Sequence, residues 1–285
     1  MTPLEIARDM NVLAGFTAMR DVAEPSREAL AAAGVPDGRV DVAVLTGGAI
    51  LAGADVMADA MRRDVASTYA LVGGAGHTTP TFRARVRELW PAATFDDDAS
   101  EAEVFDAYLR SRYGLVADVL ETRSTNSGNN VTFLFELLRA RGIEPASVLL
   151  IQDATMQRRL DACLRFHEPQ VRVVNYAAYR AEVVVRGGVR GNARGGAGHK
   201  DGLLAQLTYA DEPFGMWDID RYLTLLMGEV PRLTDGPGGY GPRGAGLIAH
   251  VDIPEGVREA FEKLRDTFPE HVRAANPAFA RPTGA

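Results

Sequence analysis

The feature that most restricts the fold of this chain is an aliphatic run that ends in a polar, doubly basic turn. Residues 148–151 are all aliphatic and predict a buried strand, whereas residues 152–159 are mainly polar and lead into a helical pattern. In open α/β sheets, a strand, a polar turn and a helix in this order place a ligand at the carboxyl end of the strand. The sequence therefore predicts a ligand site directly after residue 151.

The same order of strand, turn and helix recurs along the first two thirds of the chain. Helix-length segments separate the apolar runs, and this spacing is typical of parallel βαβ units. The predicted fold class is α/β, with a doubly wound, mainly parallel, Rossmann-like sheet of about five strands, N-terminal helices and a smaller C-terminal helical part. The predicted strands are residues 40–45, 68–72, 119–120, 147–151 and 171–174.

The pattern divides the chain into three regions. Residues 1–36 are expected to form N-terminal helices packed on the core, residues 37–180 the Rossmann-like ligand-binding domain, and residues 181–285 a helical cap. In the cap, apolar residues at helical spacing over 219–226 predict a short amphipathic helix that ends at Gly228. Two stretches rich in glycine and arginine predict loops. These loops are residues 186–200 and 235–244.

Composition restricts the classes of partner. Asp and Glu outnumber Lys and Arg, and the resulting net charge of −7 argues against nucleic acid. No apolar segment has the roughly 18 residues of a membrane span, and Glu5, Arg8 and Asp9 stand where a secretory signal needs apolar residues. We therefore expect a cytoplasmic protein with a small-molecule partner and no membrane partner. The single cysteine, Cys163, excludes an intrachain disulfide framework and a Cys-rich metal site, and no metal is expected.

Four glycine-rich or polar turns follow predicted strands. Because parallel strands of one sheet end at the same edge, we expect these turns to meet. Glycines let backbone N–H groups approach a ligand, and helix N-termini attract anions, so the ligand is expected to carry a phosphate, a carboxylate or a ribose. The predicted contacts in these turns are Gly47, Gly48, Gly74, Gly76, His77, Thr78, Ser124, Thr125, Asn126, Asn130, Asp153, Thr155 and Arg158.

Each turn also has an explanation that needs no ligand. Gly74–Thr79 departs from the dinucleotide-binding pattern because Thr79 stands where the third glycine belongs, so it is either a ligand contact or a plain tight turn. The three asparagines within residues 126–130 either cap the next helix or bind hydroxyl and carboxylate groups. Arg158 and Arg159 point about 100° apart on a helix, so at most one of them reaches the site.

Two residues are candidates for proton transfer. His77 is the one histidine in a predicted site turn, and its ordinary pKa suits acid–base chemistry, although a capping or solvated histidine explains it equally well. Asp153 either caps the following helix or faces a hydroxyl or amine of the ligand. We assign both as the predicted catalytic residues. The chain contains no Gly-Lys-Ser or Gly-Lys-Thr sequence, which excludes a P-loop ATPase.

Several segments carry motifs of a known family. They are Ser124–Asn126 with Asn130, Gln152–Arg159, Arg221–Leu223 with Gly228–Leu233, and Gly239–Gly244 with His250–Asp252. These segments closely resemble the bacterial YdcF proteins of the SanA/ElyC/YdcF domain family, and the resemblance spans nearly the whole chain. It implies a Rossmann-like domain with a smaller C-terminal helical part, a cleft at the strand ends, and S-adenosylmethionine as the cofactor or ligand.

The resemblance also implies site residues, with two departures. Asn129 stands where the family usually has an acidic residue, and Met156 stands where many members have a histidine. Acid–base roles at those two positions do not carry over, which weakens a hydrolase assignment. The residues implied to hold an adenosyl-type ligand are Gly74, Gly76, His77, Asn126, Asn130, Asp153 and Gln157, with Tyr240 and Arg243 as contacts from the cap.

Three functions stay open at this point. The first is an enzyme that uses S-adenosylmethionine to transfer a group to a small metabolite, a reaction that depends mainly on positioning the reactants. The second is a metabolite sensor whose loops close on the ligand without chemistry. The third is a phosphate-ester hydrolase with His77 as base and Asp153 as its partner.

Overall fold

The computed structural model describes residues 1–48, 50–76, 78–187 and 201–272, which form a five-strand sheet flanked by helices. The strands of this sheet are β1 (Val40–Thr46), β2 (Ala66–Val72), β3 (Val119–Glu121), β4 (Ser147–Gln152) and β5 (Arg172–Ala177). The helices before β5 are α1 (Pro3–Thr17), α2 (Arg27–Ala32), α3 (Ala52–Arg62), α4 (Thr79–Leu89), α5 (Glu101–Tyr113), α6 (Ser127–Ala140) and α7 (Gln157–His167). The C-terminal part contains β6 (Val183–Val185), α8 (Asp201–Leu204), β7 (Leu207–Tyr209), α9 (Ile219–Leu233) and α10 (Glu255–Thr267).

The five-strand sheet is entirely parallel, in the order β3-β2-β1-β4-β5. Val42 of β1 pairs with Thr68 of β2 on one side and with Val148 of β4 on the other, so β1 is the central strand. The chain runs outward from β1 to β3 and then returns to the other side of β1 to form β4. The carboxyl ends of β1 and β4 therefore flank the crevice in which doubly wound sheets bind their ligands. The predicted fold class is confirmed.

Burial on both faces explains why the strands could be located in the sequence. Every residue of β4 is buried, and in β1 only Asp41 is partly exposed. Asp41 has a structural role, because its Oδ2 accepts hydrogen bonds from the backbone N–H groups of Ala146 and Ser147, each at 2.8 Å. Parallel strands that are covered on both faces have nearly continuous aliphatic sequences.

Side-chain caps determine where two helices begin at the carboxyl edge of the sheet. At α5, Ser100 Oγ accepts a hydrogen bond from the Glu103 backbone N–H, and the Glu103 carboxylate accepts one from the Ser100 N–H at 2.7 Å. This reciprocal pair is a capping box. At α6, Asn126 Oδ1 accepts a hydrogen bond from the Asn129 N–H at 2.9 Å. The N-termini of both helices are thereby fixed beside the ends of the strands.

The C-terminal part differs from the prediction in two respects. Helix α9 continues past Gly228 to Leu233 and contains Pro231, so the predicted end at Gly228 is wrong. Its buried face continues through Val230 and Leu233, and this burial outweighs the cost of about 1 kcal/mol for a glycine inside a helix. The strands β6 and β7 form a small antiparallel sheet that the sequence analysis does not predict.

Helix α1 connects the N-terminal region to the C-terminal part. It packs against α9 and α10. The Asn11 side chain donates a hydrogen bond to the Val183 carbonyl and accepts one from the Val183 N–H, both at 2.8 Å. Within the described ranges, no helix combines the length and the hydrophobicity needed to cross a bilayer. Residues 188–200, which make up most of the predicted loop 186–200, lie outside the described residues.

Candidate ligand-binding site

A cavity of about 680 Å³, called the central cavity below, lies at the carboxyl ends of the parallel strands. The turns after β1, β2, β3 and β4 all contribute to its lining, so the predicted convergence of these turns is observed. Residues of α5, α6, α7 and α9, together with Trp217 and the loop after α9, form the rest of the lining. The predicted contacts that line the cavity are Gly47, Gly48, Gly74, Gly76, Thr78, Ser124, Thr125, Asn126, Asn130, Asp153, Thr155 and Tyr240.

The turn after β1 occupies a central position in this lining, because β1 is the central strand. A Cβ atom on Gly47 would overlap Glu101 Oε2 and would lie 3.3 Å from the Cα of Gly73, which follows β2. A Cβ atom on Gly48 would lie 3.5 Å from the Cβ of Asp153, which follows β4. Gly47 thus leaves room for the Glu101 carboxylate, and Gly48 leaves room for the side chains of Gln152 and Asp153.

The turn after β2 is held by packing against the turn after β3. A Cβ atom on Gly74 would overlap the carbonyl oxygen of Ser124, and the Gly74 N–H donates a hydrogen bond to Ser124 Oγ at 3.1 Å. Gly76 has more space, since its nearest neighbour would be the Thr125 carbonyl oxygen at 3.8 Å. Gly74 is therefore required for packing between turns as well as for the shape of the cavity. His77, the predicted base, lies outside the described residues.

The asparagines after β3 have different roles. Asn126 and Asn129 hydrogen-bond to each other at the start of α6. For these two residues the structure therefore agrees with helix capping, one of the two interpretations of the sequence. Asn130 is buried and lines the central cavity, and among the described residues no side-chain hydrogen bond holds its amide. The Asn130 amide therefore offers a donor and an acceptor to a ligand.

Asp153 is held in place on one side and faces the cavity on the other. Its Oδ1 accepts hydrogen bonds from the Thr155 N–H at 2.9 Å, from Thr155 Oγ1 at 2.8 Å and from the Tyr179 hydroxyl at 2.7 Å. Within the described part of the chain, Oδ2 has no hydrogen-bond partner, although the residue is only 8% exposed. Burial raises the pKa of Asp153 above its ordinary value, and the hydrogen bonds from Tyr179 and Thr155 oppose this shift.

Glu101 is a cavity residue that the sequence analysis missed. It is the first residue of α5 and lines the central cavity beside Gly47. Its Oε1 accepts a hydrogen bond from Thr79 Oγ1 at 2.9 Å. Burial raises the pKa of Glu101 to about 7, while the Thr79 hydrogen bond and the positive charge of Arg83 act in the opposite direction. A carboxyl group with this pKa exchanges a proton near neutral pH.

Of the two neighbouring arginines, the assigned Arg158 is not among the residues that line the cavity. Arg158 Nε donates to the carbonyl oxygen of Phe16 at 2.5 Å, and its guanidinium lies 4.2 Å from the Phe16 ring centroid, away from the cavity lining. Arg159 lines the cavity instead. Its Nε and Nη2 donate to the Glu229 carboxylate at 2.7 and 3.1 Å, and Nη1 donates to Ser127 Oγ. The roughly 100° between consecutive helical side chains separates the two roles.

Two residues implied by the family resemblance also lie away from the cavity lining. The Gln157 side chain is fully buried and donates to the Leu150 carbonyl at 3.0 Å and to Asn175 Oδ1 at 2.9 Å, so it connects α7 to β4 and β5. The Arg243 side chain is 76% exposed and donates to Asp235 at 3.1 Å. Both side chains are held by hydrogen bonds within the fold and do not reach the cavity.

The C-terminal part supplies the apolar side of the central cavity. Trp217, Leu225, Leu247 and Ile248 line this side together with Tyr240. The indole Nε1 of Trp217 is buried, and among the described residues it has no hydrogen-bond partner. A further hydrogen bond, from the Ala249 N–H to the Ala162 carbonyl at 2.9 Å, fixes the loop after α9 against α7.

Cys163 is buried and lines the cavity. Burial raises the pKa of its thiol to about 12. Within the described residues, no group of three or more His, Cys, Asp or Glu side chains is placed to hold a metal ion. A scan of the sequence against protein-family models finds no match.

Proposed function

We propose that this chain binds S-adenosylmethionine, or a closely related adenosyl metabolite, in the central cavity. The observation that carries the proposal is a single cavity at the switch point of a doubly wound sheet, with polar groups on the strand side and aromatic and aliphatic groups on the other. Its volume of about 680 Å³ lies within the roughly 300–1,000 Å³ of small-molecule sites.

The strand side of the cavity suits the polar parts of such a ligand. Asp153 Oδ2 and the Asn130 amide are hydrogen-bonding groups with no partner among the described residues, and both line the cavity. A carboxylate oxygen accepts from ribose hydroxyls, and an amide both donates and accepts. The start of α6 adds backbone N–H groups, which favour an anionic group such as the ligand's carboxylate.

The C-terminal side of the cavity suits the adenine base of the ligand. Trp217 and Tyr240 provide aromatic surface on this side. The resemblance to YdcF-like proteins, for which S-adenosylmethionine is the implied ligand, supports the same assignment.

The proposal also covers the reaction in which the protein uses the ligand and the cellular compartment in which the protein acts. A transferase that passes a group from S-adenosylmethionine to a small metabolite is the function we favour, because such chemistry needs positioned reactants more than acid–base groups. A non-catalytic sensor is the alternative for the same cavity. We place this activity in the cytoplasm, where S-adenosylmethionine and small metabolite acceptors occur together.

A thermal-shift screen tests the proposal. S-adenosylmethionine and its demethylated product, S-adenosylhomocysteine, are expected to raise the melting temperature. A ligand at about 100 times its dissociation constant adds roughly 2.7 kcal/mol to the free energy of unfolding. The Asp153→Ala variant is expected to lose most of this shift, because it removes a carboxylate that lines the cavity. The Asp106→Ala variant is the matched control, since Asp106 is also a buried carboxylate but belongs to α5 and is not part of the lining.

Two results would contradict the proposal. A stabilisation by sugar phosphates, without any by adenosyl compounds, would favour the phosphate-ester hydrolase. An unchanged ligand shift in Asp153→Ala would restrict Asp153 to its hydrogen bonds with Thr155 and Tyr179.

A further inference from the structure

Two carboxylates flank the turn after the central strand. Glu101 Oε2 lies beside Gly47 on the β2 side, and Asp153 lies beside Gly48 on the β4 side. Both side chains line the central cavity. The middle of the ligand region is therefore bordered by two acidic groups.

No cationic side chain among the described residues forms an ion pair with either carboxylate. Arg159 lines the same cavity, but its guanidinium forms a two-pronged ion pair with Glu229. Arg83, on α4, lowers the pKa of Glu101 through its positive charge. Its hydrogen bonds, however, go to the carbonyl oxygens of Ala99 at 2.6 Å and Asp97 at 2.7 Å. Among the described residues, no cation thus contacts either carboxylate directly, although Arg221 and Arg232 of α9 also line the cavity.

Glu229 adds a further negative charge that acts on Asp153. The Glu229 carboxylate raises the pKa of Asp153 further, after the larger effect of burial. A buried carboxylate without a compensating charge is unfavourable, and it is relieved either by taking up a proton or by a positive group beside it. The Asp153 carboxylate is in this situation, because the residue is 92% buried and its Oδ2, which is not itself fully buried, has no partner among the described residues.

We propose that the ligand of the central cavity carries a positive charge at its centre, and that this charge lies between Glu101 and Asp153 as the sulfonium of S-adenosylmethionine. The proposal rests on the proposed function, and it makes the site selective for the sulfonium over the neutral thioether of S-adenosylhomocysteine. The two compounds share their adenosine and amino acid groups, so they differ only in the methyl group and the charge that this inference addresses.

Calorimetric titration with both compounds at about pH 8, where Glu101 is ionised, tests this charge selectivity. The wild-type protein is expected to bind S-adenosylmethionine about tenfold more tightly than S-adenosylhomocysteine, which is the order of effect of one close charge pair. In Glu101→Gln the preference is expected to fall to about twofold or less, with little change for S-adenosylhomocysteine. Melting of the ligand-free variant shows that it is folded, and the uncharged amide keeps the size of the side chain.

The matched control is Glu103→Gln. It removes a negative charge from the same turn of α5 at a residue that does not line the cavity, so the tenfold preference is expected to remain. Equal binding of both compounds by the wild-type protein, or an unchanged preference in Glu101→Gln, would overturn the charge inference and leave the proposed function intact. Failure of both compounds to bind would overturn the two proposals together.

Discussion

At the scale of single residues, Glu101 is the group with the most consequences. It stands at the first position of α5, contacts the glycine turn of the central strand and accepts a hydrogen bond from Thr79. Its raised pKa of about 7 results first from burial. Under ordinary conditions the ligand-free protein therefore contains both the protonated and the ionised form of this side chain.

The raised pKa predicts how stability depends on pH. Because folded Glu101 binds its proton more tightly than the unfolded chain, in which its pKa has the ordinary value of 4.5, its contribution to stability falls as the pH rises from about 4.5 to about 7. Glu101→Gln removes the carboxyl group that ionises, so the variant does not show this fall in stability. Relative to wild type, the variant is expected to gain about 2 kcal/mol in free energy of unfolding between pH 5 and pH 8. Urea denaturation at the two pH values measures the gain.

Glu103→Gln again provides the comparison for this titration. Glu103 is exposed and belongs to the capping box of α5. Its substitution is expected to shift stability by a similar amount at both pH values. A difference between wild type and Glu101→Gln that stays constant from pH 5 to pH 8 would show that Glu101 has an ordinary pKa in the folded protein.

The sequence contained only a weak signal for Glu101. An acidic residue in the first turn of a helix is favourable for electrostatic reasons alone, so Glu101 had a sufficient local explanation. The capping box, however, uses Glu103 and leaves Glu101 without a role. A second acidic residue in a capped first turn, directly beside the predicted turns, is the signal that would have identified it.

At the scale of secondary-structure elements, the sheet was predictable and the C-terminal part was less so. Strands β1 and β4 are buried on both faces, and this leaves nearly continuous aliphatic runs in the sequence. Strands β6 and β7 have three residues each, which is too short for a periodic pattern. The end of α9 was misplaced because Gly228 usually marks a helix end, whereas packing of the next turn decides the matter here.

Side-chain direction limited the prediction of the site. The convergence of the four turns follows from strand polarity, and the strand order needed for it is observed. Which of Arg158 and Arg159 reaches the cavity depends on the rotation of α7 about its axis, and that rotation is set by packing against distant residues such as Phe16 and Glu229. Sequence spacing alone does not contain this information.

The packing of one turn against another gives a prediction at this scale. A Cβ atom on Gly74 would overlap backbone atoms of the turn after β3, and backbone cannot rotate away as a side chain can. Gly74→Ala is expected to reduce the free energy of unfolding by about 2 kcal/mol and to weaken ligand binding, because two cavity turns must separate. Chemical denaturation and the thermal-shift screen measure the two effects.

Gly76→Ala is the control for this turn. The added Cβ would have no neighbour closer than 3.8 Å and the backbone φ of Gly76 is not positive, so stability is expected to change by less than about 1 kcal/mol. Equal destabilisation by the two substitutions would mean that the turn responds to any loss of glycine, and that contact with the turn after β3 is not the cause.

At the scale of the whole molecule, the central cavity lies where the sheet meets the C-terminal part. The Arg159–Glu229 ion pair connects the two, since Arg159 belongs to α7 and Glu229 to α9. Both side chains are largely buried, with 12% and 6% exposure. Removal of one partner leaves an uncompensated buried charge, whereas removal of both does not.

This difference predicts a non-additive result. Glu229→Leu and Arg159→Met are each expected to reduce the free energy of unfolding by about 3 kcal/mol, and the double variant Arg159→Met with Glu229→Leu is expected to recover most of it. Urea denaturation of the single variants and the double variant completes the cycle. If the double variant loses the sum of the single losses, the ion pair does not couple α7 to α9.

The position of Trp217 has a practical consequence. The chain has two tryptophans, and the other, Trp90, donates its indole N–H to Ser111 outside the cavity lining. Replacing Trp90 by phenylalanine would leave Trp217 as the only indole fluorophore, with its ring in the wall of the space that a bound molecule fills. Quenching or a spectral shift of its emission would then report occupancy directly, without a label and at protein concentrations far below those needed for calorimetry.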